Sequence, residues 1–116
     1  MSSYTAAKRR GSTSGIFAQN TEFFGTDLTM DYSNKEEPAR FIITYMTSTA
    51  GTTLDVSLDS GGTWGTLNSS AVIPTSAPFE LSIMVRAGDL VNFRTATAGG
   101  ATVVYIRVDQ QLGEVA

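Results

Sequence analysis

The sequence predicts an all-β protein: an antiparallel β-sandwich of about seven or eight strands, a jelly roll among its candidate topologies, with an extended N-terminal arm. Three observations predict it. Several stretches alternate apolar and polar residues with a period of two. Glycine-bearing turns separate those stretches. No segment sustains the 3.6-residue period of an amphipathic helix.

The elements follow in chain order. Residues 1–15 are serine, threonine, glycine and basic residues with almost nothing apolar, so they read as the extended arm. Residues 16–116 then read as one domain, of a size that buries a real core without covalent staples. Apolar density rises at Ile16, Phe17, Phe23 and Phe24. Leu28 to Tyr32 alternates weakly, as a short strand would, and a one-turn helix near Asn20 to Phe24 is allowed but not required. Ser33 to Pro38 is a polar turn.

Arg40 to Thr47 is rich in β-branched and aromatic residues and is apolar on both sides. Thr53 to Leu58 puts Leu54, Val56 and Leu58 on one face and Asp55 and Ser57 on the other. Phe79 to Arg86 sets Phe79, Leu81, Ile83 and Val85 against Glu80, Ser82, Met84 and Arg86. Val91 and Phe93 share a face, and Val104, Ile106 and Val108 oppose Val103, Tyr105, Arg107 and Asp109. Such alternation marks antiparallel sheets with one face buried and one wet. Ala50-Gly51, Ser60-Gly61-Gly62, Ala87-Gly88-Asp89 and Ala98-Gly99-Gly100 are the turns. The short connections within 79–109 predict a three-stranded meander.

Composition excludes several chemistries. The chain has no cysteine, which removes disulfides and thiolate metal sites. It has no histidine, so neither a Ser-His-Asp nor a Cys-His arrangement can be built. The expectation is a protein that is not an enzyme and needs no cofactor or metal. Net charge is −3, against the strongly basic balance of a nucleic-acid binder. Its distribution says more. Lys8, Arg9 and Arg10 stand in the first twenty residues with no acid, and the remainder carries −6. The polar residues after Arg10 do not form the apolar stretch of a signal peptide, and no run approaches the roughly 18 apolar residues of a membrane helix. A cytoplasmic, unprocessed product with no membrane partner is expected.

One motif is sharp. Ser57-Leu58-Asp59-Ser60-Gly61-Gly62-Thr63-Trp64 resembles the Asp-box, Ser-x-Asp-x-Gly-x-Thr-Trp, at every fixed position. Asp59 can accept hydrogen bonds from turn N–H groups. Gly61 or Gly62 can take the positive φ of a tight hairpin. Thr63 resumes β geometry, and Trp64 can fold against the hairpin base. The reading is a structural turn built on Asp59, Gly61, Thr63 and Trp64. In sialidase-like enzymes such boxes lie away from the catalytic centre, so the resemblance implies no glycosidase. An exposed Trp64 contacting a glycan, with Tyr45 or Tyr105 completing a flat platform, is the alternative.

The remaining candidates are surfaces. Lys8, Arg9 and Arg10 suit the docking of the arm on an acidic protein. Met84, Val103 and Tyr105 fall on outer faces, where apolar residues suggest a subunit contact and a homo-oligomer. Asp55, Asp59, Glu36 and Glu37 read as turn or solvated carboxylates rather than as a glycosidase pair. A calcium loop at Asp55-x-Ser57-x-Asp59 would force Ser57 to share Asp59's end of the strand. Gly11 to Gly15 lacks the Lys-Ser/Thr of a phosphate-cradling loop.

In general character (a short cysteine-free sandwich, a polar arm, Gly/Ser/Thr-rich turns) the chain resembles the small decoration, or cement, proteins of tailed-bacteriophage capsids. The turn Val85-Arg86-Ala87-Gly88-Asp89-Leu90-Val91 is similar to turns common in phage and other β-sandwich proteins. The resemblance implies a virion protein made in the host cytoplasm. It would bind the outside of the capsid at subunit junctions, with the major capsid protein or another virion protein as partner. A head-fibre, collar, tail or receptor-binding component, and a carbohydrate-binding module, are the alternatives.

Overall fold

The computed structural model describes residues 4–31, 38–48, 53–67, 79–95 and 102–115. Seven strands lie within them: β1 (Tyr4–Phe17), β2 (Ala39–Thr47), β3 (Leu54–Ser57), β4 (Gly65–Thr66), β5 (Phe79–Val85), β6 (Asn92–Thr95) and β7 (Thr102–Val115). They form a four-stranded sheet in the order β1-β7-β2-β5 and a three-stranded sheet in the order β4-β3-β6. Every strand pairing is antiparallel.

The chain between β1 and β2 runs along the free side of β6. Asn20 N–H donates to Thr95 O, Phe23 N–H to Phe93 O, and Leu28 and Val91 exchange both bonds at 2.7 and 2.8 Å. Counted as an irregular eighth strand, this segment completes the strand order of a jelly roll: β1-β7-β2-β5 over the 20–28 segment-β6-β3-β4. The weak strand read at 28–32 is thus one bridge, Leu28 to Val91, within its described part. No helix forms at 20–24, where Asn20 instead takes a φ of 64°.

One core lies between the sheets, as in a β-sandwich. β2 supplies Phe41, Ile43 and Tyr45, and β7 supplies Val104, Ile106 and Val108. The smaller sheet supplies Leu54 and Phe93. Phe23 stacks near Tyr45 at 6.1 Å, and Phe24 meets Phe93 edge-on at 6.4 Å, so neighbouring rings touch opposite sheets. Each such side chain stabilises the fold by roughly 1.5–3 kcal/mol through burial. In β2 the inward set is Phe41/Tyr45, leaving Ile42 and Met46 outward.

Three expectations need correction. Residues 4–17 are not an arm apart from the domain: they are β1, the edge strand of the larger sheet, paired with β7 from Tyr4↔Val115 to Phe17↔Thr102. An edge strand is held by main-chain bonds, so it needs few apolar side chains. Second, 79–109 is not a meander. β5 pairs with β2, and the turn closed by Arg86 N–H on Asp89 Oδ2 (2.9 Å) carries the chain across to β6 in the other sheet. Third, β3 is covered on both faces. Asp55 is only 6% exposed and Ser57 is fully buried, whereas Leu58 emerges from the core. The turns read at Ala50-Gly51 and Ala98-Gly99-Gly100 lie outside the described residues.

Candidate subunit-binding surface

The Asp-box loop joins β3 to β4. Ser57 Oγ donates to Asp59 Oδ1 (2.7 Å) and accepts from Gly61 N–H (2.8 Å). Asp59 Oδ1 also accepts from Thr63 N–H at 2.8 Å. These donors, the Ser57 hydroxyl first and Thr63 N–H second, hold the Asp59 carboxyl below its ordinary range. Gly61 has φ 88°, and a Cβ there would sit 2.8 Å from Glu22 Oε1. The loop hangs on the β5–β6 turn, since Ser60 N–H donates to Leu90 O and Leu90 N–H to Leu58 O. Asp59, Gly61 and Thr63 therefore build a turn, with Ser57 as its centre, and Trp64 follows it with its ring turned to Arg94.

Trp64 lies under Arg94, whose guanidinium carbon is 4.2 Å from the ring centroid. Arg94 Nε lies 3.6 Å from Asp55 Oδ2, and Thr66 Oγ1 donates to Asp55 Oδ1 at 2.9 Å. This pairing explains why Asp55 is buried: a carboxylate leaves water only when paired and hydrogen-bonded. Asp55 thus departs from its reading as a solvated surface charge, and it serves different partners from Asp59.

Two buried amides fix the 20–31 segment. Asn92 Oδ1 accepts from Phe24 N–H, while its Nδ2 donates to Phe24 O (2.8 Å) and Asp27 Oδ1 (3.0 Å). Gln110 does the same at Asp31, accepting from its N–H (2.7 Å) and donating to its carbonyl (3.0 Å). Sequence reasoning missed both residues.

Lys8 and Arg10 find partners in the same chain. Lys8 Nζ meets Asp31 Oδ2 at 2.6 Å, and Arg10 Nε donates to Thr29 O at 3.0 Å. Arg10 sits at a register shift between Arg9 and Gly11. The extra residue re-aims a side chain, as bulges do. Arg9 is exposed, opposite Asp109.

The outer face of the larger sheet holds the other predicted residues. Val103 is 52% exposed and Tyr105 41%, and the pairing Ile16↔Val103 brings in Ile16 at 74%. Met46 is opposite Tyr105 on the other side. Ser14, Met46, Ser48, Val103 and Tyr105 line an open hollow of about 250 Å³. Met84 is exposed but stands apart, opposite Arg40 near the far end of β2. Six residues of strand separate that row from the Met46 row, about 20 Å. The patch is thus Ile16, Val103, Tyr105 and Met46, without Met84. Ile16 was not read as part of this face because residues 1–15 were read as an arm and no strand carried Ile16 onto a sheet.

An aromatic platform does not form from the residues named for it. Tyr45 is fully buried. Trp64 lies at the smaller sheet and Tyr105 on the outer face of the larger one.

No protein-family model and no curated protein sequence matches this chain. Among the solved structures similar to this chain are two of low identity. One is a pilus from a study of Bacillus endospore appendages as a family of disulfide-linked pili. It has 14% identity, a TM-score of 0.43, and coverage of 93% of this chain and 89% of that one. The other is the C-terminal CBM6 of LamC, a marine laminarinase from Zobellia galactanivorans. It has 14% identity, a TM-score of 0.44, and coverage of 90% of this chain and 98% of that one.

Proposed function

We propose that this chain is a non-catalytic structural protein that binds other protein subunits through the apolar end of its larger sheet. One observation carries the reading: Val103 and Tyr105 stand exposed at an open hollow, and exposed Ile16 pairs opposite Val103 beside it. Contiguous apolar surface of this kind is what subunit contacts use. In its finer form the protein is a virion component on the outside of a tailed-phage capsid, touching the major capsid protein or another virion protein and its own copies. The general character of the sequence supports that form: no cysteine, no histidine, and a jelly roll with polar, glycine-bearing turns.

The test is association measured by sedimentation equilibrium for the wild type and for Val103→Asp with Tyr105→Ser. The substituted positions are exposed, so the fold should persist by circular dichroism. Self-association should weaken by at least about tenfold, the effect of losing one modest apolar contact. Co-sedimentation with tailed-phage heads stripped of accessory proteins tests the capsid form. A wild type that neither self-associates nor binds heads would end the proposal.

A further inference from the structure

The most unusual element is β1. From Ala7 to Phe17 it has no buried side chain, although thirteen of its fourteen residues pair with β7. Among the described side chains its one ring contact is Phe17 against Phe23, at 4.9 Å. Its other attachments are the main-chain ladder, the Lys8–Asp31 pair, the Arg10–Thr29 bond, and Gly11 beneath Leu28 and Phe24.

All of these partners lie beyond one short connection. Ala18, Gln19 and Asn20 are exposed, and Asn20 holds a left-handed φ of 64°. The chain is fixed again at once, by Asn20 N–H on Thr95 O and Phe23 N–H on Phe93 O. A strand with almost no core, joined through a short exposed connection containing a strained residue, suits exchange between copies.

We infer that β1 is an exchangeable strand: it leaves its own β7 and pairs with β7 of a second copy. The inference deepens the subunit-binding reading and rests on it. Every attachment named above would re-form unchanged, because the second copy presents the same β7, Asp31, Thr29 and Leu28. Charge favours the same occupant. β1 carries Lys8, Arg9 and Arg10 with no acid, and the chain beyond residue 20 carries −6. A copy that receives β1 offers Asp31 to Lys8 and places Asp109 opposite Arg9. The exposed connection is then the only local change, and protein concentration sets how much exchange occurs.

The absence of native cysteine makes the test clean. Ser12 of β1 is directly opposite Arg107 of β7. Ser12→Cys chains and Arg107→Cys chains, distinguished by a mass tag, are unfolded together and refolded at low and high concentration. They are then oxidised and run on a denaturing gel. Neither chain can form an internal disulfide. Exchange places the two sulfurs side by side, so the mixed product should exceed either same-chain dimer by about tenfold. Its share should grow with refolding concentration. Mixed product in no more than the statistical proportion at every concentration overturns the inference. The doubly substituted chain, refolded dilute and locked by its internal disulfide, separates the two readings. If the locked protein still associates, and Val103→Asp abolishes that, exchange is overturned and the outer-face contact stands. If the wild type associates and the locked protein does not, exchange is the route.

Discussion

The Gln110 side chain grips Asp31 by both of its backbone groups, accepting from the N–H at 2.7 Å and donating to the carbonyl at 3.0 Å. Gln110 itself is 3% exposed and points inward from β7. It therefore does for the segment after β1 what a sheet ladder does for a strand. Gln110→Leu keeps the volume and removes both bonds. Leaving those groups unpaired should cost about 1–3 kcal/mol. Urea unfolding should show a lower midpoint with an unchanged slope.

Asn92 performs the matching task on β6, and its environment makes one substitution pH-sensitive. Asn92→Asp loses the donor to Phe24 O and sets a carboxylate about 3 Å from Asp27 Oδ1. Burial and the like charge both raise the new group's folded pKa above its unfolded value. The folded variant then binds the extra proton, so the penalty is fullest above that raised pKa and shrinks as pH falls through it. At pH 7 the variant should be less stable than wild type by at least about 2 kcal/mol. Melting curves from pH 7 down to pH 4 should show the gap narrowing.

Asp59 behaves in the opposite sense. The Ser57 hydroxyl and Thr63 N–H lower its folded pKa below the ordinary value of an unfolded aspartate. Its contribution is present above that unfolded pKa and is lost as pH falls through the folded one. Asp59→Asn should melt below wild type at neutral pH, and the two curves should converge in strong acid. Ser57→Ala should have a larger effect at neutral pH, because it also strands Gly61 N–H.

Gly61→Ala tests two strains at once. The φ of 88° disfavours any side chain, and the new Cβ would meet Glu22 Oε1 at 2.8 Å. The variant should lose about 1–2 kcal/mol. Glu22→Ala should restore the part due to the clash and leave the part due to φ, as a double-mutant cycle would show.

How far the sequence revealed this follows from which residues obey alternation. β2, β5 and β7 were legible because each has one face packed on a core, and Ile43, Val85 or Ile106 repeats at the right spacing. β1 was not, because a strand whose partner is main chain leaves no apolar trace in Gly11 to Ser14. Asn92 and Gln110 drew no reading, since nothing in a lone amide tells whether it faces water or a backbone. Asp55 read as surface for the same reason, its partner Arg94 being supplied by a strand distant in sequence. The bond from Thr63 N–H to Asp59 was legible because both partners lie within eight residues, whereas the two bonds of the Ser57 hydroxyl were not read.

The antiparallel pairing of β1 with β7 sets Tyr4 beside Val115. Force applied between those two ends would pull across the ladder rather than along it, and would break its hydrogen bonds one after another, as a zipper opens. An assembly that transmits load through this pair of ends would yield at low tension. One that loads the protein through its broad outer face would leave the zipper untouched.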